Sequence, residues 1–167
     1  MSLKNIPFGT PEQFNAVVEI PIGSHNKYEY SEVLDAITLD YVFSKKFNWP
    51  FNYGYIPHTR GGDGDHLDVF ILTAYPLDIG TVVVVRPIGM IEVLDRGEED
   101  NKILAVPIKD HTHEHFQDVN DLPKRMLIEF RAFFKRLAKE KSKSLEIVAF
   151  HGKARTIQEL RDHLVLP

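Results

Sequence analysis

The stretch Gly61-Gly62-Asp63-Gly64-Asp65-His66-Leu67-Asp68-Val69 places three carboxylates within six residues, in a glycine-rich segment that leads into an apolar run. In extended backbone Asp63 and Asp65 point to the same side. The neighbouring glycines permit the tight geometry that would swing Asp68 towards them. Carboxylates held this close repel and raise one another's pKa. A hard cation such as Mg²⁺, Mn²⁺ or Ca²⁺ relieves that repulsion through oxygen ligands. Asp and Gly are also favoured turn residues, so the segment alone leaves a solvated turn and a metal loop equally open.

Other charged groups stand at the ends of apolar runs. Asp95-Arg96-Gly97-Glu98-Glu99-Asp100-Asn101-Lys102 separates two of them and reads, by itself, as a charged hairpin loop in which Lys102 offsets its acidic neighbours. Glu19 lies beside Val17, Val18 and Ile20, Lys27 and Glu29 flank Tyr28, and Tyr53 sits in Asn52-Tyr53-Gly54-Tyr55. Charges of this kind are ordinary on edge strands. None is diagnostic alone.

The elements that must position these groups are mostly strands. Residues 14–21, 27–30, 69–72 and 52–55 read as short strands, the second by strict alternation of charge and aromatic ring. Residues 81–85, with four valines, and 88–94 read as successive strands, and 103–108 as the return after the acidic loop. Short strands punctuated by Gly and Pro predict an α+β, mainly β fold built on a small closed barrel rather than a layered α/β sheet. Leu127, Phe130, Phe134 and Leu137 recur at helical spacing behind Pro123 and predict a long amphipathic helix. Lys135, Arg136, Lys139, Lys141 and Lys143 crowd its end, where cations suit the helix dipole. Residues 145–150 read as a last strand, and Thr156 with Glu159 as a capping box that opens a short helix to Leu164.

The totals bound the function. A chain of 167 residues, 43% hydrophobic and 26% charged, suits one globular domain over residues 1–167. A net charge of −4 argues against nucleic acid as a partner, and no apolar run is long enough to span a membrane. Cysteine is absent, which removes disulfides and thiolate metal sites. The N-terminus lacks the apolar core of a signal peptide, so the expected location is cytoplasmic. His111, His113 and His115 alternate and read as a polar loop or subunit contact.

Across most of its length the chain resembles the family I soluble inorganic pyrophosphatases of the short bacterial type. The resemblance rests on Asp63, Asp65 and Asp68 in the pattern Asp-x-Asp-x-x-Asp. Around them, in the family's order, lie Glu19-Ile20-Pro21, Lys27-Tyr28-Glu29, residues 50–55, Arg86-Pro87-Ile88-Gly89, Asp95 to Lys102, and Asp118 to Pro123. It implies a five-stranded closed barrel (OB-like) with flanking α-helices, a metal-filled cavity at its mouth, Mg²⁺ or another divalent cation such as Mn²⁺ as cofactor, pyrophosphate as the small anionic substrate, and a homo-oligomer, often a hexamer. By the family's pattern Asp63, Asp68 and Asp100 hold the metal pair that shares the attacking water, and Asp65 is the general base. Asp95 shares a further metal with Asp100, Glu19 and Glu29 serve metals directly or through water, and Lys27, Tyr53 and Lys102 contact phosphate oxygens.

Three departures fall on one function. Tyr41 stands where the family carries Arg, and Leu137-Ala138 where it carries Tyr-Lys, so half of the phosphate cradle lacks its donors. Trp49, where Tyr is common, is a milder change. Charge supplied from elsewhere, with Arg96, Arg60, Lys45, Lys46 and His66 as candidates, would preserve pyrophosphate hydrolysis. An apolar wall of Tyr41 and Leu137 would instead admit an organic diphosphate or another phosphoanhydride. A non-catalytic binder of metal or phosphate is the third reading.

Overall fold

The computed structural model describes residues 2–165. Its strands are β1 (Gly9–Thr10), β2 (Gln13–Ile20), β3 (Asn26–Ser31), β4 (Ala36–Val42), β5 (Asn52–Tyr55), β6 (Asp68–Ile71), β7 (Val82–Asp95), β8 (Glu98–Glu99), β9 (Lys102–Pro107) and β10 (Leu145–Gly152). Helix α1 spans Lys124–Glu140 and α2 spans Lys153–Asp162. β2 pairs with β5, β5 with β6, β6 with β9, β9 with β7, and β7 returns to β2. These five strands form the expected ring. β10 extends it beside β7, whereas β3 and β4 form a separate hairpin.

Alternation along the strands sends side chains to two cores. Phe70 and Leu104 join Phe130, Phe133 and Phe134 of α1 in one cluster. Their neighbours Val69, Ile71, Ile103 and Ala105 join Phe14, Met90 and Leu160 of α2 in the other. Strands buried on both faces read as continuous apolar runs, as residues 69–72 and 103–106 do.

Two local expectations are corrected, and one strand, β4, is additional to them. Residues 82–95 form one strand instead of two. Pro87 is tolerated because it falls between the part of β7 paired with β2 (Val82–Val85) and the part paired with β10 (Gly89–Asp95), where the register with β9 also shifts. Thr156 does not cap α2, which begins a turn earlier. Its hydroxyl donates to the Gly152 carbonyl at 2.8 Å, and the N–H of Lys153 is satisfied by Asp118 Oδ2 at 3.1 Å, a cap from a distant loop. β4 had no counterpart in the sequence reading at all.

Gly54 fixes how closely β5 lies against β2. A Cβ built there would meet the Val17 carbonyl oxygen at 2.0 Å. Gly54→Ala should therefore destabilise the fold by about 3 kcal/mol, a fall in melting temperature of roughly 6–12 °C. Scanning calorimetry showing no change would mean that β5 can move away from β2.

Candidate active site

β6 and β9 are parallel, an exception in a ring of antiparallel pairs, with Asp68 level with Lys102. Parallel neighbours receive the chain from the same end. The loop carrying Asp63 and Asp65 into β6 and the loop carrying Asp100 into β9 therefore open on one rim. Asp95 reaches that rim as the last residue of β7, and Glu19 stands near the end of β2. The β3–β4 hairpin brings Lys27 and Glu29.

The rim surrounds a cavity of about 500 Å³. Glu19, Glu29, Asp63, Asp65, Asp68, Asp95 and Asp100 all line it, as do Lys27, Tyr53 and Lys102. The ten residues to which the resemblance gives a metal or catalytic role thus face one space.

Charge is dense here. Lys102, 8% exposed, donates to Asp68 at 2.7 Å, Asp100 at 2.9 Å and the Tyr53 hydroxyl at 3.0 Å. Burial alone would lower its pKa, but the two carboxylates and Tyr53 hold it well above the usual lysine value. Glu19 is 5% exposed and accepts the Tyr30 N–H at 2.7 Å. Burial, then the Asp68 charge, pushes its pKa up to about 8. Burial and the neighbouring Asp63 and Asp68 also raise Asp65, and burial raises Glu29. Asp95 moves down despite burial, because Lys143 donates to it at 2.7 Å and Arg96 at 3.0 Å.

The donor set is all oxygen and short of positive charge, which suits a hard divalent cation. As placed, no three Asp, Glu or His side chains among the described residues form a group that could hold a metal ion. The carboxylates share a cavity rather than a point, and the Lys102 ammonium balances Asp68 and Asp100.

Of the cations proposed from sequence to replace the missing donors, Arg60, Arg96 and His66 line the cavity, whereas Lys45 and Lys46 are exposed elsewhere. Arg60 and His66 both engage Glu32. Lys141 and Lys143 also line the cavity. From sequence they belong to the cationic end of α1, and nothing in the one-dimensional pattern shows that the cavity lies beside it. Leu137 lines the wall, and Tyr41 lies beneath Lys141, whose Nζ is 4.0 Å from the ring centroid. His111–His113 form a short 3₁₀ turn, with His113 bonded to Asp110 at 2.6 Å, in keeping with a polar loop. No described helix is long and apolar enough to cross a membrane.

Comparison with known proteins places this cavity in context. The inorganic pyrophosphatase of Synechocystis sp. is 38% identical over 152 residues, covering 90% of this chain and 89% of its own. That of Sulfolobus acidocaldarius is 46% identical over 133 residues, or 76% of each chain. The crystal structure of inorganic pyrophosphatase from Thermus thermophilus superposes with a TM-score of 0.89 at 37% identity, covering 96% of this chain and 95% of that one. The family model described as inorganic pyrophosphatase matches residues 16–165, from the strand that bears Glu19 through α2. Barrel, acidic rim and sequence agree, and the chain belongs to the inorganic pyrophosphatase family.

Proposed function

We propose that the chain hydrolyses inorganic pyrophosphate to two phosphates, with Mg²⁺ held by the rim carboxylates. The observation that carries this reading is the convergence of seven carboxylates and the Lys27, Tyr53 and Lys102 donors on one cavity. Pyrophosphate is so anionic that attack by another anion is unfavourable until its charge is neutralised. Asp63, Asp68 and Asp100 would hold the principal cations, Asp95 a further one shared with Asp100, and Glu19 and Glu29 would contribute directly or through water. Bound there, the cations would neutralise substrate charge and acidify the attacking water.

The remaining groups act through their own chemistry. Asp65, which lines the cavity between Asp63 and Asp68, takes the proton from the attacking water. Lys102 and Tyr53, joined by a 3.0 Å hydrogen bond, present an ammonium and a phenol to oxygens that gain charge in the transition state. Lys27, held by Asp40 at 2.9 Å, offers a second ammonium from the hairpin.

Phosphate release with Mg²⁺ should favour pyrophosphate over nucleoside diphosphates, sugar diphosphates and short polyphosphates. Chelation should abolish it, and Asp68→Asn should weaken Mg²⁺ binding measured by calorimetry at least tenfold. A preference for an organic diphosphate would overturn the substrate assignment. Unchanged Mg²⁺ affinity in Asp68→Asn would remove that residue from the metal set.

A further inference from the structure

Among the described cations that line the cavity, Lys141 stands out because it makes no ion pair. Lys27 pairs with Asp40, Arg60 with Glu32, Arg96 and Lys143 with Asp95, and Lys102 with Asp68 and Asp100. Among the described residues Lys141 has no carboxylate within ion-pair distance, although it is partly buried and lines the same space. Its contact is the ring of Tyr41, with Nζ 4.0 Å from the centroid.

That ring is a fixed platform. Tyr41 packs edge-on against Phe43 at 4.8 Å, Phe43 stacks on Phe47 at 4.1 Å, and Phe47 meets Phe133 of α1 at 5.7 Å. Lys141 is the residue that ends α1, its N–H bonded to the Leu137 carbonyl at 3.0 Å. The aromatic chain therefore ties the hairpin to the helix that delivers the ammonium. Lys27 is the cross-strand partner of Tyr41 in the β3–β4 register, and its ammonium is held by Asp40 at 2.9 Å.

An aromatic face attracts a cation but leaves its outward N–H groups free. An ammonium has three such donors and carries no acceptor. Partial burial, Lys27 and Lys143 lower the Lys141 pKa, and the Asp40 and Glu29 carboxylates offset them only in part. An anion beside Lys141 would supply the ion pair that this ammonium lacks, with Lys27, already held by Asp40, on the same hairpin.

We propose that Lys141, seated on Tyr41, binds the phosphoryl group that lies on the hairpin side of the cavity, supplying the cation that Tyr41, Leu137 and Ala138 do not. This rests on the pyrophosphatase reading and specifies how the chain holds that substrate. It also gives Tyr41 a purpose. The tyrosine is a support for a cation that arrives from the helix end, in place of an arginine reaching in from the hairpin.

The test uses the full chain loaded with Mg²⁺, read by pyrophosphate kinetics, by calorimetry with inorganic phosphate, and by thermal unfolding. A charge-assisted contact is worth about ten- to a hundredfold in binding. Lys141→Ala should raise KM and the phosphate Kd by that factor with a smaller change in kcat and little change in melting temperature. Lys141→Arg should keep most of the affinity. Tyr41→Leu, which removes the platform but not the ammonium, should raise KM by a few-fold to tenfold. Lys139→Ala, an exposed lysine two residues earlier, should match wild type. Wild-type KM and phosphate affinity in Lys141→Ala would overturn the assignment. If Lys141→Ala unfolds, equal affinities for Lys141→Arg, Lys141→Gln and wild type would do the same. An inactive wild-type protein would sink the pyrophosphatase reading instead, and phosphate calorimetry would still decide whether Lys141 is an anion ligand.

Discussion

Asp65→Asn should lower kcat for pyrophosphate by about 10²–10⁴-fold, the range that loss of a positioned general base produces, while the fold stays intact. Two features of the loop make the experiment clean. Among the described residues the Asp65 carboxylate accepts no hydrogen bond; it is the Asp65 backbone N–H that bonds to Asp63, at 3.0 Å. The amide is nearly isosteric and leaves that turn untouched. Circular dichroism and melting temperature should therefore match wild type while turnover falls. Activity within threefold of wild type would exclude Asp65 from proton transfer and shift attention to the other rim acids.

The second large effect is expected at Lys102, because two functions meet in one ammonium. Lys102→Met removes a donor aimed at developing charge, which should cost about 10²–10³-fold in kcat. It also strands Asp68 and Asp100, whose side chains are each 26% exposed, without their shared counter-charge. Breaking a buried ion pair typically costs about 3–5 kcal/mol, and the partial exposure of both acids points to the lower end of that range. Melting in a chelator should fall accordingly. Mg²⁺, binding only the folded state, should restore more stability to the variant than it adds to wild type. Identical melting of the two proteins in chelator would show that the Asp68–Lys102–Asp100 arrangement does not support the fold.

How much of this was readable in the chain follows physical range. β2, β5, β6 and β9 announced themselves because each is a short apolar run or alternation whose burial is decided within a few residues. The acidic loops were likewise visible as composition. Asp68 and Asp100 are separated widely in sequence, however, and only the parallel pairing of β6 with β9 makes them neighbours. Family resemblance, not spacing, supplied that step. The failures were those in which a distant partner decides a local question. Asp118 caps the helix that Thr156 was expected to start, and the change of partner along β7 lets Pro87 pass through a strand. Lys141 and Lys143 were assigned to the helix end because one-dimensional patterning cannot reveal that the cavity lies beside it.

Closure of the ring depends on pairing Phe14 to Val17 with Val82 to Val85, segments far apart in sequence. Contacts of that separation form late and slow the approach to the native state. Until β7 has emerged and docked, β2 retains an open flank able to recruit a strand from another chain. The rim acids cannot be assembled earlier, since Asp100 and Lys102 follow β7 along the polypeptide. A nascent fragment ending before Val82 would therefore be both inert and prone to association, and catalytic competence should coincide with the disappearance of its adhesive edge.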